Sequence, residues 1–196
     1  MNELLKRQMD QSLVTEAKNR NIIAMLELLG KGANLEAKNS FGDSCLIIAC
    51  RMGYPEMVWV LLDRGGSIES RNVYQATPLI VASMLGNLEC VRLLLDRKAD
   101  LESKDILGFT ALSLACANSH MEVVKELVGR GANINSANIT NDSCLMMAIK
   151  NQHMEVVKYL LQYNADIHIE NRYGKTAKDL ARDGQSLAIR AIVESL

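Results

Sequence analysis

The chain has few residues that interrupt helices, with only 2 prolines in 196 residues, and aromatic residues make up just 4%. This composition is consistent with a mainly helical protein, because proline breaks helices in their interior. Apolar runs such as Cys45–Cys50 and Met57–Leu62 stop at about six residues, whereas a membrane-spanning helix needs about 20. The sequence therefore predicts no membrane partner.

An excess of charge of either sign is also missing, since 22 Lys and Arg residues oppose 23 Asp and Glu residues. Nucleic-acid binding needs concentrated positive charge, so we expect no nucleic-acid partner. Met1–Gln11 is mostly polar and lacks the features of a secretory signal. Five cysteines without a Cys-x-x-Cys pair predict free thiols in a reducing compartment and no zinc site. We expect a cytoplasmic protein; a nuclear protein, or one delivered to a host cell, is the alternative.

The most informative feature that is present in the chain is internal repetition. Three kinds of residue recur every 33 positions: Ala49, Ala82, Ala115, Ala148 and Ala181; Val58, Val91, Val124 and Val157; Leu61, Leu94, Leu127 and Leu160. A fixed period of this length predicts a stacked-repeat protein. Such folds offer an open surface that binds other proteins, rather than a buried crevice.

One copy shows how each unit is built. In residues 72–104, Thr77 suits a helix N-cap and Pro78 suits the first helical position. Gly86 ends this first helix, and the apolar residues of 88–95 fall at helical spacing on one face of a second helix. The sequence therefore predicts a pair of helices in each copy.

These residues resemble the ankyrin repeat, through TPLIVA in residues 77–82 and LVGRGANIN in residues 127–135. The resemblance implies an all-α solenoid of stacked helix-turn-helix units with β-hairpin fingers. We expect one continuous domain of four full repeats with two capping repeats that close the array. Their ranges are 1–38 for the N-terminal cap, 39–71, 72–104, 105–137 and 138–170 for the repeats, and 171–196 for the C-terminal cap.

The resemblance places the fingertips near residues 40–43, 73–76, 106–109, 139–142 and 172–175. Gly42, Gly108 and Gly174 occupy the position where the family uses glycine, which permits a positive φ. Gln75 and Asn141 replace it in two copies, and glutamine tolerates that conformation less well. We therefore expect the second finger to bend differently from the others.

No set of residues for catalysis or metal binding is recognisable, so we expect no enzyme, no cofactor and no metal site. His120 and His153 lie one repeat apart, about 10 Å by the spacing of packed helices, which is too far to share one ion. We interpret them as hydrogen-bonding residues of the turn between helices. The sequence has neither a G-x-S-x-G elbow nor a phosphate-binding glycine loop.

The outer helices carry a different pattern. Arg92, Lys125 and Lys158 share one column, and we interpret it as a solvated face because acidic residues interleave with it. Trp59 occupies the same column and should face solvent. It is either a contact for self-association or for a second partner, or it lies flat over a neighbouring side chain.

Binding residues should lie in the columns that vary. The resemblance assigns them to the fingertips and the neighbouring ends of the first helices, on the concave side. They are Phe41, Arg51, Met52, Val73, Tyr74, Met84, Leu85, Ile106, Leu107, Phe109, Asn118, Ile139, Asp142 and Tyr173. This set is unusually apolar for exposed positions, which is typical of an interaction surface. The alternative is that some of these side chains pack against neighbouring fingers.

We therefore predict a monomeric, non-catalytic module that binds a protein or peptide ligand through this surface. An inhibitor or regulatory subunit, or a host-directed effector, would use the same surface and stays an alternative, as does an engineered binder. Nucleic-acid binding and enzymatic activity are weaker alternatives. Asn135, in GANIN, resembles a finger-base asparagine that is hydroxylated in some ankyrin proteins, so it is a predicted modification site.

Overall fold

The computed structural model describes residues 3–195, and its regular structure there consists of twelve α-helices. Residues 1, 2 and 196, which belong to the predicted caps, lie outside the described residues. No helix within residues 3–195 is long and apolar enough to cross a membrane. The prediction of an all-helical repeat fold is confirmed.

The described residues form two compact units, which we call unit 1 (residues 3–82 and 87–100) and unit 2 (residues 83–86 and 101–195). Unit 1 holds α1 (Glu3–Lys18), α2 (Ile22–Gly30), α3 (Cys45–Met52), α4 (Pro55–Asp63), most of α5 (Pro78–Met84) and α6 (Leu88–Asp96). Unit 2 holds α7 (Ala111–Ala117), α8 (Met121–Gly129), α9 (Cys144–Lys150), α10 (Met154–Gln162), α11 (Ala177–Asp183) and α12 (Leu187–Glu194). Within unit 1, α1 packs on α2 and α3, and α3 packs on α4; within unit 2, α9 packs on α7, α10 and α11.

The first helix of each copy begins at a capped residue. Each side-chain oxygen of Ser44, Thr77, Thr110, Ser143 and Thr176 accepts a hydrogen bond from the backbone N–H three residues later, at 3.2–3.4 Å. Capping satisfies an N–H that has no partner within the helix. The predicted N-cap at Thr77 is confirmed.

The recurring apolar columns form the core. The five column alanines and the four column valines are at most 1% exposed, and so are the four column leucines. Ile47, Ile80 and Met146 are equally buried and also belong to the core. Side chains that recur for packing are therefore separate from those that vary at the fingers.

Each finger is a tight turn. Residues 3–195 contain no strand, and antiparallel pairing is limited to isolated bridges between Lys38 and Ser44 and between Ala137 and Ser143. The expectation that the second finger bends differently is wrong. Gln75 adopts φ 59°, close to the φ of 73° at Gly42 and of 57° at Asn141. The hydrogen bonds of the finger stabilise the left-handed conformation even at Gln75, where a positive φ is sterically unfavourable.

Candidate functional site

A column of Asn and Asp residues builds the fingers. In each finger, one side-chain Oδ1 accepts the backbone N–H groups two and four residues later, at 2.8–3.1 Å. The five residues are Asn39, Asn72, Asp105, Asn138 and Asn171. This column is not among the residues predicted above, although its 33-residue spacing is visible in the sequence. Short Asx side chains are the ones that bond their own backbone in this way.

Neighbouring fingers are joined through their backbones. In unit 1 the N–H of Val73 donates to the carbonyl of Phe41 at 3.1 Å. In unit 2 Ile139 donates to Leu107 at 3.0 Å, and Arg172 donates to Thr140 at 2.8 Å. The backbone of the fingertips is therefore satisfied internally, which leaves their side chains free for contacts.

Unit 1 has a cavity of about 440 Å³ between its two fingers and the ends of α1 and α3; we call it the unit 1 groove. Its lining residues are Lys18, Asn39, Phe41, Asp43, Ile48, Arg51, Met52 and Tyr74. Buried Ile48 lies among exposed Phe41, Met52 and Tyr74. A cavity of this size lined by large apolar side chains with a few polar groups has the character of a binding site.

A buried charge network forms one wall of the groove. The Asp43 carboxylate is 2% exposed and accepts hydrogen bonds from Nε and Nη2 of Arg51 at 3.0–3.2 Å. The same carboxylate accepts a hydrogen bond from Nδ2 of Asn72, in the next finger, at 2.8 Å. Fork-shaped pairing of this kind fixes the orientation of a guanidinium group. Arg51 is thus held in place at the groove, whereas Lys18 is exposed and forms no ion pair within the described residues.

Unit 2 repeats the network with different residues. Lys150 donates to Asp142 at 2.6 Å, and Nδ2 of Asn171 donates to it at 2.8 Å. Burial raises the pKa of Asp142, but hydrogen bonds from Lys150, Asn171 and Thr140 outweigh burial and hold the pKa below its usual value. The carboxylate therefore stays charged and joins two fingers.

Most of the predicted binding residues are exposed. Phe41, Met52, Val73, Tyr74, Leu85, Ile106, Leu107, Ile139 and Tyr173 are each 42–71% exposed. Asn118 is exposed too, and Arg51, Met84 and Phe109 are half-buried. Asp142 is the exception, because it is 7% exposed and serves the network of unit 2; its prediction as an exposed contact is wrong.

The two networks correspond to a sequence signal that is not among the predictions above. Two positions eight residues apart vary together: Asp43 pairs with Arg51, Asp142 with Lys150, and Lys175 with Asp183. In the second copy the two positions are Ala76 and Met84, so neither carries a charge that would lack an ion-pair partner. Paired changes between an ion pair and apolar residues indicate a structural contact inside columns that otherwise vary.

The histidines act as the sequence predicted. Nε2 of His120 donates to the carbonyl of Met84 at 3.0 Å, and Nε2 of His153 donates to that of Ala117 at 2.9 Å, both within unit 2. Asn87 occupies the same column in unit 1 and donates to the carbonyl of Cys50 at 2.7 Å. These side chains tie the turn between the two helices of one copy to the end of the first helix of the preceding copy, so the interpretation as turn residues is confirmed.

The outer helices are solvated, as predicted. Arg92, Lys125 and Lys158 each pair with the glutamate three residues earlier, at 2.7–2.9 Å. Trp59, in the same column, is 50% exposed. Paired charges on a helix surface neutralise each other locally, so this face has no free positive stripe.

Asn135 lies at the base of a finger and is exposed. Its Oδ1 accepts the backbone N–H of Asp166 at 2.9 Å. Glu102 holds the equivalent position one repeat earlier and accepts the N–H of Asn133 at 2.8 Å. The Asn135 side chain therefore joins two neighbouring copies within unit 2 through a hydrogen bond.

Comparison with protein families gives one description, Ankyrin repeats (3 copies), which matches residues 13–105 and 99–171. These ranges cover most of the chain. A search of curated proteins returned no match.

Proposed function

Because this chain belongs to the ankyrin repeat family, we propose that it is a non-catalytic protein that binds a protein or peptide partner through its finger side. By finger side we mean the fingertips and the adjoining ends of the first helices. Ankyrin repeats are in general protein–protein interaction modules, and the family is typically non-catalytic. What we propose beyond this general role is the surface of this chain that binds the partner.

The observation that carries the proposal is the exposure of large apolar side chains at the fingers of both units. In unit 1 these are Phe41, Val73 and Tyr74; in unit 2 they include Ile106 and Ile139, at 59% and 60% exposed. Exposed apolar side chains that cluster on one surface usually mark an interaction site, whereas single ones need no explanation. Fingers fixed by backbone and Asx hydrogen bonds present them with little ordering cost on binding.

We further propose a monomer that works in a reducing, cytoplasmic environment, without a nucleic-acid or membrane partner. All five cysteines are free and buried, which supports the reducing compartment. The ion pairs of the outer helices support the proposal that nucleic acid is not the partner, because the cations are already matched.

The test uses affinity capture with the full chain and two variants, one for each unit. Phe41→Ala/Tyr74→Ala removes two exposed aromatic side chains of unit 1, and Leu107→Ala/Tyr173→Ala removes two exposed large apolar side chains of unit 2. We expect at least one variant to lose captured partners that the wild type retains, because large side chains of this kind contribute most of the energy of interfaces. Quantitative mass spectrometry of the captured proteins measures the loss.

Ile23→Ala is the matched control, since Ile23 is 73% exposed on α2 and does not line the unit 1 groove. It should capture the same proteins as the wild type. Each variant should also unfold within about 0.5 kcal/mol of the wild type, as expected for exposed side chains. If both finger variants retain every partner, the finger side is not the binding surface.

Two further predictions belong to the proposal. Trp59 on α4 is a second contact for another partner, and affinity capture with Trp59→Ala should lose that partner. Because we propose a monomer, light scattering should give the same mass for the wild type and Trp59→Ala, and a larger mass for the wild type alone would assign Trp59 to self-association instead. Asn135 is a hydroxylation site, because it is exposed at the base of a finger and resembles such a site in the family. Mass spectrometry of protein from its native source would detect an added oxygen on this residue.

A further inference from the structure

The unit 1 groove differs from an ordinary apolar patch in the kind of polar groups at its edge. Its apolar part is formed by Phe41, Met52 and Tyr74, which are 48–58% exposed, with Ile48 at 2% exposure beneath them. An aliphatic or aromatic side chain of a partner that entered the groove would displace water from the three exposed side chains. The apolar part therefore favours a large apolar anchor.

The acceptors at the edge of the groove are already used. Both oxygens of Asp43 accept hydrogen bonds from Arg51, and Oδ1 accepts a further one from Asn72. Oδ1 of Asn39 accepts the N–H groups of Phe41 and Asp43. A donor on the partner, such as an ammonium group, would find few free lone pairs here.

Donors remain free at the same edge. Arg51 binds Asp43 through Nε and Nη2, which leaves the two N–H groups of Nη1. Lys18 is exposed at the end of α1 and pairs with no acidic residue within the described chain. Asp43 cancels the charge of Arg51, so the groove keeps the positive charge of Lys18. Free donors, used acceptors and a net positive charge are complementary to a carboxylate.

We infer that the unit 1 groove binds an acidic peptide segment in which Asp or Glu neighbours a large apolar residue. This inference rests on the proposed function and names the chemistry of its partner. The apolar residue packs on Phe41 and Tyr74, and the carboxylate bonds to Lys18 and Nη1 of Arg51. Charged hydrogen bonds of this kind supply specificity, because a basic segment would face Lys18 without compensation.

The experiment selects peptides from a random dodecapeptide phage library on the full chain and measures the enriched peptides by fluorescence anisotropy. We expect enriched sequences to combine Asp or Glu with Leu, Ile, Met or an aromatic residue. Lys18→Glu should weaken their binding by about ten-fold or more, since a charged hydrogen bond becomes a repulsion. Binding to the wild type should also weaken as salt increases.

Lys31→Glu is the matched control, because Lys31 is also an exposed lysine at the end of a helix, but outside the groove. It should leave the affinity unchanged. Peptides that lose binding with Phe41→Ala/Tyr74→Ala but are neutral or basic, and do not respond to Lys18→Glu, would overturn the inference and leave the proposed function standing. No enriched peptide, or binding that responds to neither change, would overturn the use of this groove altogether.

Discussion

Removal of the Asp43 carboxylate should destabilise unit 1 by about 3 kcal/mol through the loss of two sets of hydrogen bonds. The carboxylate holds the guanidinium of Arg51 within its own copy and the amide of Asn72 in the next finger. Asp43→Ala withdraws the acceptor from both donors at once. The substitution also leaves the apolar columns of the core untouched.

The loss of the Asp43 carboxylate costs a different free energy at each of its two hydrogen-bond donors, Asn72 and Arg51. Asn72 is 4% exposed, so its amide would stay buried without a partner, at a cost of about 1–3 kcal/mol. The Arg51 side chain is 36% exposed and can recover water, so its share is about 1 kcal/mol. The total is several times the change of about 0.5 kcal/mol that an ordinary surface substitution produces.

Urea unfolding followed by Trp59 fluorescence measures the effect, because the one tryptophan of the chain lies in α4 of unit 1. The double variant Asp43→Ala/Arg51→Met carries the residues that the second copy has at these positions, Ala76 and Met84. It should recover about 1 kcal/mol relative to Asp43→Ala, since no charge is left unpaired. A midpoint for Asp43→Ala equal to the wild type, or a double variant less stable than the single one, would refute the reasoning.

The remaining predictions concern single positions. Ser83→Ala should stabilise the protein by about 1 kcal/mol, because Ser83 Oγ is buried without a hydrogen-bond partner. Ser113→Ala should destabilise the protein, since the Ser113 hydroxyl is hydrogen-bonded in a capping box. A thermal unfolding experiment in which Ser113→Ala is the more stable variant would contradict both expectations. Gln75→Gly should raise stability by about 1 kcal/mol because Gln75 has φ 59°, and a lower urea midpoint would show that its side chain contributes more than its strain costs. All five cysteines are buried, and burial raises the pKa of Cys45 to about 12 and that of Cys50 well above its usual value. The native protein should therefore react with a chromogenic disulfide reagent only as fast as it opens, and a rapid stoichiometric reaction would contradict this burial. The lowered pKa of Asp142 means that its carboxylate stabilises the folded state above the unfolded pKa of about 3.9, and this stability is lost as pH falls through the folded value. The difference in stability between wild type and Asp142→Asn should therefore shrink as pH falls below about 5, and a constant difference would contradict the pairing with Lys150.

The helices and the core could be predicted because the 33-residue columns record them directly. Ala49 and Val58 repeat at positions where only a buried side chain of that size packs, and Thr77 repeats a cap that starts a helix. Each of these signals is local to one copy and is confirmed by several others. The turn role of His120 was predictable for the same reason.

The finger networks could not be predicted from single columns. Asp142 occupies a column that varies, so it resembled an exposed contact, yet Lys150 and Asn171 bury its carboxylate. Pairs of columns carry this information, since the cation lies eight residues from the acid in each copy that has one. Gln75 shows a second limit, because the hydrogen bonds of the finger outweigh the local backbone preference of its residue.

Hydrogen–deuterium exchange of the full chain, with and without a peptide selected on it, tests most directly whether the finger side is the binding surface. The account predicts that bound peptide slows exchange at residues 39–43, 48–52 and 72–76, or at the fingers of unit 2 between 105–109 and 171–175. Exchange on the outer helices α4, α8 and α10 should stay unchanged. Protection confined to those outer helices would contradict the claim that the fingers bind the partner.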